Sequence, residues 1–328
     1  MKQNQTIITY FIIKGISEVP QLQAPIFVLV LLIYLIVLVG NMSLLLLVCL
    51  DSHLHTPMYF FLANLSVVDM TSSTVTLHKI LLTFLTGDNT VVYLACMVQF
   101  YVFASLSGHG LFILTAMSYD RYVAICRPLN YNIIMNLKIC LLLASFCWIF
   151  GFLQDVPFVW LVSKISCFST NVIDHFCCDL VPFMEIACSD ITILQRLSDI
   201  QGLIVYTLIP FLLILMSYIF IIITIVKIRS SIGRRKAFYT CSSHLTVIVL
   251  LYTMLIFQYS LPSNSIGSKK LYSLFNTAIV PMLNPLIYSL KNKDVKTAFS
   301  RRIGKCKANS FWCVMSGSVT RWKKKNLS

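Results

Sequence analysis

Seven long apolar runs, separated mostly by short polar stretches, make up half of the chain of 328 residues. They cover about Pro25 to Leu50, Pro57 to Leu77, Ala95 to Ser118, Ile139 to Val162, Gly202 to Val226, Ala237 to Ser260 and Leu271 to Leu290. A bilayer core is crossed by roughly 20 apolar residues of helix, so each run predicts one transmembrane helix. Segments of about ten alternating residues, which would mark a membrane barrel, are absent. The second run opens with Thr56 as N-cap and Pro57 at the first helical position, where a missing N–H is harmless. Pro210 in the fifth run, with Pro281 and Pro285 in the seventh, predicts kinks. The expected fold is an all-α membrane protein, a seven-transmembrane helix bundle over residues 25–290 with an N-terminal segment, 1–24, ahead of it. Beyond it, residues 291–307 are basic but broken by Val295, Ala298, Phe299 and Ile303. That spacing predicts a short amphipathic eighth helix on the membrane surface. Residues 308–328 read as a disordered tail. Residues 1–24 carry polar residues throughout and contain no signal-peptide core, so the first helix is expected to act as an uncleaved anchor.

Composition agrees with the pattern: 58% of residues are hydrophobic, 12% are charged, and the mean hydropathy is +0.82, well outside the soluble range. The net charge of +14 is unevenly spread. With the N-terminus outside, the cytoplasmic side collects Arg121, Arg127, Lys138, Lys227, Arg229, Arg234, Arg235, Lys236 and every lysine and arginine from Lys291 on. Only Asp51, Asp120 and Asp294 oppose them there. This is the positive-inside asymmetry, and beside seven spans it predicts contact with anionic lipid and an acidic cytosolic partner rather than nucleic acid. Five cysteines fall at the outer side: Cys96, Cys167, Cys177, Cys178 and Cys188. Disulfides are expected in that oxidising compartment, and an odd number leaves at least one thiol unpaired. His175 is the lone imidazole nearby, so no zinc site is expected. Asn4-Gln5-Thr6 is the one sequon placed for glycosylation.

Ionisable residues within spans are costly and are the first place to look for function. Asp69 lies midway along the second run, His109 midway along the third, His244 early in the sixth, and Asp155 near the outer end of the fourth. Asp69 is either a carboxyl hydrogen-bonded to Asn41, Asn284 and serine hydroxyls, or a cation or proton site. His109 is either a hydrogen-bonded interior group or a ligand contact. Asp155 reads as snorkelling to the interface. No phosphate-cradling glycine loop, metal motif or nucleophile elbow is present, so nothing carries enzyme chemistry and no cofactor is expected. The seventh run has no lysine for a retinal Schiff base, and Ala95 to Met117 has no acid to pair with an ammonium.

Six motifs in order resemble the rhodopsin-like G-protein-coupled receptors, and within them the olfactory subfamily, over about residues 4–305. They are Gly40-Asn41, the stretch Leu54-His55-Thr56-Pro57-Met58-Tyr59-Phe60-Phe61-Leu62, Met117-Ser118-Tyr119-Asp120-Arg121-Tyr122-Val123-Ala124-Ile125-Cys126, Ser217-Tyr218, Lys236-Ala237-Phe238-Tyr239-Thr240-Cys241-Ser242-Ser243-His244-Leu245, and Pro281-Met282-Leu283-Asn284-Pro285-Leu286-Ile287-Tyr288. The fifth is characteristic of the odorant subfamily.

The resemblance implies an odorant receptor in the plasma membrane that couples a small volatile ligand to a stimulatory heterotrimeric G protein and cyclic AMP. It implies a ligand set of Phe103, Ala104, Ser107, Gly108, Leu203, Tyr206, Tyr252, Leu255, Ile256, Tyr259 and Thr277. It implies a coupling set of Asp120, Arg121, Tyr122, Arg127, Tyr218, Thr240, His244, Asn284, Pro285 and Tyr288, in which Tyr218 and Tyr288 move inward on activation. It also implies Cys96–Cys178 and Cys167–Cys188 bridges. Gly110 stands where many members carry Glu, Cys177 replaces a Phe, and Cys306 and Cys313 in the tail are candidate acylation sites. No acid lies between Ala237 and Ser260, so Arg121 has Asp120, Thr240 and backbone carbonyls as expected resting partners: a weakly held switch. A transporter or channel, or a receptor-like protein that folds without signalling, are the competing readings.

Overall fold

The computed structural model describes residues 8–260, 270, 273–291 and 294–302, the side chains of residues 236, 240, 256–260 and 289–291 excepted. The sequon at Asn4, the tail with Cys306 and Cys313, and the side chains of Thr240, Ile256 and Tyr259 lie outside the described residues. Seven helices form the bundle. They are α1 (Pro20–Leu50), α2 (Pro57–Thr86), α3 (Tyr93–Cys126), α4 (Leu137–Ser163), α5 (Thr192–Lys227), α6 (Ser231–Ser260) and α7, a π-turn at Phe275–Ile279 leading into Val280–Lys291. By length and composition, α1 to α5 each suffice to cross a membrane, and Ser231–Tyr239 with Cys241–Leu255, bent by 41°, make a sixth such span.

Local signals set the helix ends. Pro20 and Pro57 open α1 and α2 at positions that need no N–H. Thr56 occupies the N-cap with extended backbone but makes no side-chain cap bond. Past Leu77, α2 continues to Thr86 and stops at Gly87, whose φ of 72° returns its N–H to the Thr83 carbonyl. Asn136 caps α4 by accepting from the Ile139 N–H at 3.1 Å. The connection expected to run as loop from Ser163 to Gln201 is in part helical. Leu180–Ile186 forms a short helix and α5 begins at Thr192, ahead of the apolar run, with π geometry over Gln201–Leu208.

A small sheet closes one end of the bundle. β1 (Tyr10–Ile13) lies between β2 (Thr90–Val92), antiparallel, and β3 (Val172–Ile173), parallel. Phe11 enters the core beneath it, packing edge-on against Phe168 and Phe183. Disulfides join Cys96 at the start of α3 to Cys178, and Cys167 to Cys188, while Cys177 is a buried free thiol. At the opposite end the segment 294–302 is helical. Val295 and Ala298 are buried in the core there and Phe299 is 51% exposed. Tyr59 donates to Asp294 at 3.2 Å, and Arg301 pairs with Asp51 at 3.1 Å.

Large apolar side chains such as Leu142, Phe146, Leu213 and Ile222 face outward, an arrangement that suits lipid rather than water. The polar groups turn inward, and two of them meet the prolines of α7. Pro285 has no N–H for the Pro281 carbonyl four residues earlier, and Asn41 Nδ2 on α1 donates to that carbonyl at 3.1 Å. Pro281 likewise fails the Thr277 carbonyl, and Ser73 Oγ on α2 donates to it at 3.0 Å. Asn41 is thus a partner of α7 backbone and not of Asp69. Gly40 allows the approach, since a Cβ there would sit 3.0 Å from the Pro285 ring. We expect Ser73→Ala to cost about 1–3 kcal/mol through an unsatisfied carbonyl, and Gly40→Leu to cost a similar amount through overpacking of roughly 1–3 kcal/mol. Gly110→Ala, whose nearest neighbour lies at 3.7 Å, should be tolerated. Thermal midpoints of the purified protein in detergent will rank the three.

Candidate functional site

A cavity of about 740 Å³ opens toward the sheet end and descends between α3, α5, α6 and α7. That volume lies in the range of small-molecule sites. Its apolar walls include Phe100, Phe103, Ala104, Leu111, Phe158, Leu251 and Leu255, with Ser107 and Tyr206 supplying hydroxyls. Gly108 makes room at mid-depth: a Cβ there would come within 2.7 Å of the Tyr206 ring. Asp69, Pro281 and Asn284 form the floor, and Asp174, His175, Asp179 and Lys270 the mouth. Lys270 Nζ, ahead of α7, donates to Asp174 at 2.5 Å in the loop after α4.

Six of the expected ligand residues therefore line one space: Phe103, Ala104, Ser107, Gly108, Tyr206 and Leu255. Three do not. Leu203 is 58% exposed on the lipid-facing side of α5, because the π register rotates the helix relative to a plain 3.6-residue repeat. Thr277 is buried against α2, its hydroxyl bonded to the Ser273 carbonyl at 2.8 Å. Tyr252 packs edge-on against Phe211 in the α5–α6 core. His109 also faces away, its ring 4.0 Å from that of Trp148 on α4. Asp155 corrects the snorkelling expectation: it is 3% exposed and turned into the cavity, where Gln201 Nε2 and the Tyr206 hydroxyl donate to it at 3.3 Å. The break of α4 at Gln154–Asp155 aims it inward, which a straight-helix reading could not reveal.

Below the floor, polar contacts continue along the bundle axis. Asn284 Nδ2 donates to Asp69 at 2.8 Å, joining α7 to α2. His244 then ties α6 to two neighbours. Its Nε2 lies 3.0 Å from the Leu114 carbonyl of α3, so that nitrogen carries the proton, and Nδ1 accepts from the Tyr218 hydroxyl of α5 at 2.9 Å. At the far end Asp120 and Arg121 are 0% and 7% exposed. Arg121 Nε donates to Asp120 Oδ2 at 2.9 Å, with Nη2 bonded to the same oxygen. Successive positions diverge around a helix, but the long guanidinium arm folds back far enough to close the pair.

The other oxygen, Asp120 Oδ1, accepts from Tyr131 at 2.7 Å. Burial and the adjoining Asp120 carboxylate push the Tyr131 pKa well up, so the phenol remains a donor. Tyr131 sits in the short helix Tyr131–Ile134 and was not among the expected residues. A tyrosine eleven positions after Asp120 shows its role only once the turn at Pro128–Asn130 brings it back. Of the remaining coupling residues, Pro285 and Tyr288 are buried in α7. Tyr122 packs on Phe220 of α5 with ring centroids 5.8 Å apart, and Arg127 follows the end of α3.

A cavity at one end and a buried acid–guanidinium pair at the other, joined by inward polar contacts, is the layout that the six motifs imply. The family model described as olfactory receptor matches residues 30–305. The chain belongs to the olfactory receptor family. It is 44% identical to human olfactory receptor 5B12 over 94% of this chain and 98% of that protein. It is likewise 44% identical to mouse olfactory receptor 5AR1, covering 93% and 98%, and 43% identical to human olfactory receptor 8K5, covering 91% and 97%. The receptor is therefore a membrane protein of the seven-helix G-protein-coupled class and not an enzyme.

Within the receptor, the two adjacent cysteines differ sharply. Cys178 is bridged to Cys96, whereas Cys177 is a thiol with its sulfur 3.4 Å from His175 Nδ1. Cys178→Ser should remove a bridge of the kind that contributes about 2–5 kcal/mol and abolish mature receptor, while Cys177→Ser should leave most of it. Flow cytometry of epitope-tagged receptor will show whether the two variants separate.

Proposed function

We propose that a small, mostly apolar ligand enters the cavity and favours the conformation in which the Arg121 end opens to a stimulatory heterotrimeric G protein, raising cyclic AMP. The receptor works in the plasma membrane with the sheet end and its disulfides outside and the Arg121 end in the cytoplasm. The uneven basic charge and the oxidised cysteines support that orientation. The helical segment 294–302, with Val295 and Ala298 buried and Phe299 exposed, lies along anionic lipid on the inner face.

The observation that carries the reading is that one α6 holds both ends. Leu251 and Leu255 line the cavity, and His244, lower on the same helix, bonds α3 and α5. A ligand that displaces α6 at the cavity strains the His244 contacts, so ligand affinity differs between the two states, as a population shift requires. Arg121 is the group that meets the G protein once it leaves Asp120, and Asp120 is held in place by Tyr131. Tyr218, Asn284, Pro285 and Tyr288 belong to the moving interface, with Thr240, Tyr122 and Arg127 at its inner end.

Cyclic AMP measured in cells supplying the olfactory G protein, across a broad odorant panel, tests this directly. Arg121→Ala should abolish the response at normal surface expression; a surviving response would remove Arg121 from the mechanism. Tyr131→Phe deletes one hydrogen bond to Asp120 and should raise ligand-free cyclic AMP several-fold, a bond to a charged group being worth about 1.5–3 kcal/mol. A receptor that binds ligand yet stays silent with every G protein would favour the non-signalling reading.

A further inference from the structure

The cavity is not electrically neutral. Among the described residues, Asp69, Asp155, Asp174, Asp179, Glu185 and Asp199 contribute to its wall, and the one ammonium there is that of Lys270, which Asp174 already engages. A low-dielectric cleft lined by one sign of charge concentrates counter-ions of the other. Most of these acids sit at the rim, where water can solvate them. Asp155 does not: it is 3% exposed, and no lysine or arginine pairs with it among the described residues. Its hydrogen-bond donors are neutral and the bonds are long, at 3.3 Å from Gln201 Nε2 and 3.3 and 3.4 Å from the Tyr206 hydroxyl, and the charged group that acts on it, Asp179, is another acid. It stands at the N-cap of the helix Val156–Ser163 yet makes no cap bond there, the usual satisfaction for an aspartate so placed. Beside it, the Gln154 amide is shielded from solvent with neither its oxygen nor its nitrogen hydrogen-bonded among the described residues, and it lies against the cavity-lining Gly108. A buried carboxylate without a cation is costly unless something supplies one.

Resting on the reading that this cavity is the ligand site, we propose that the receptor takes small apolar amines, and that Asp155 is the residue that selects them. The protonated amine donates to the Asp155 carboxylate, with Tyr206 holding the acid from the other side and the Gln154 side-chain oxygen, Oε1, accepting a second N–H. The apolar chain runs along Phe103, Ala104 and Leu255. Absence of an acid from Ala95 to Met117 does not bear against this, because the acid arrives from the break in α4, on the cavity that Ser107 and Gly108 also line.

The test is direct binding, independent of any G protein. Thermal midpoints of purified receptor in detergent are measured with hexylamine and with hexanol, which match in shape and differ in charge. Hexylamine should stabilise the wild type more strongly than hexanol, and Asp155→Asn should weaken the hexylamine effect by about tenfold to a hundredfold in apparent affinity while leaving that of hexanol in place. The retained hexanol effect also shows that the variant is folded. Should Asp155→Asn fail to fold, Asp155→Glu, which advances the carboxylate by one methylene, should shift preference from hexylamine to butylamine; an unchanged preference overturns the proposal. Hexanol equal to or better than hexylamine in the wild type overturns amine selection but leaves the cavity as the ligand site. Hexylamine binding undiminished in Asp155→Asn overturns the role of Asp155. Stabilisation by neither compound overturns both the amine proposal and the cavity reading.

Discussion

In a lipid-facing bundle a buried polar group has no water to fall back on, so it is satisfied within its own helix or across to another. That constraint organises this receptor. The prolines of α7 leave the Thr277 and Pro281 carbonyls without their helical donors, and Ser73 and Asn41 reach across from α2 and α1 to supply them. Asp69 and Asn284 pair for the same reason, as do His244, the Leu114 carbonyl and Tyr218. The outer faces, by contrast, are leucine, isoleucine, valine and phenylalanine, and grip lipid without directional contacts. Packing against lipid carries little specificity, so these inward hydrogen bonds determine which helix meets which.

The same bonds make the bundle movable in discrete steps. A hydrogen bond inside low-dielectric surroundings is either made or costly to leave unmade, so an interface held by a few of them has two arrangements rather than a continuum. Asp120 concentrates this at the Arg121 end: one carboxylate holds the guanidinium with one oxygen and Tyr131 with the other. Nothing on the described part of α6 adds a second acid to that lock. The grip on Arg121 is accordingly local to α3 and the short helix after it, and α6 is restrained instead through His244.

The helices of the bundle and their order were legible from apolar run lengths, since membrane thickness acts on composition. Along α3, where the backbone is a plain helix, the residues that the resemblance implies, Phe103, Ala104, Ser107 and Gly108, fall together on the cavity. Irregular backbone defeated the rest. The π stretch of α5 turned Leu203 outward while keeping Tyr206 inward. The break in α4 brought Asp155 from an expected interface position into the cavity. Gly202 in the π stretch and Pro157 just after the break mark where the helices depart from a plain repeat, but neither fixes the direction of the turn, so hydropathy could not place them.

Residue chemistry alone settles that this chain must enter a bilayer, how many helices it offers, and that an acid and a guanidinium stand side by side at the end of the third, because those features depend on local composition and covalent order. Which carbonyl an asparagine answers, which of two neighbouring cysteines is bridged, and whether an aspartate faces lipid headgroups or the internal cavity depend on the angle at which each helix is turned toward its neighbours. That angle is a compromise among all seven helices at once, set by where prolines, π-turns and buried hydrogen bonds can be satisfied together. Asp120 and Arg121 show both levels. Their adjacency is written in the chain, but their burial, and the tyrosine that returns from the next turn to hold the acid, arise from the packed bundle.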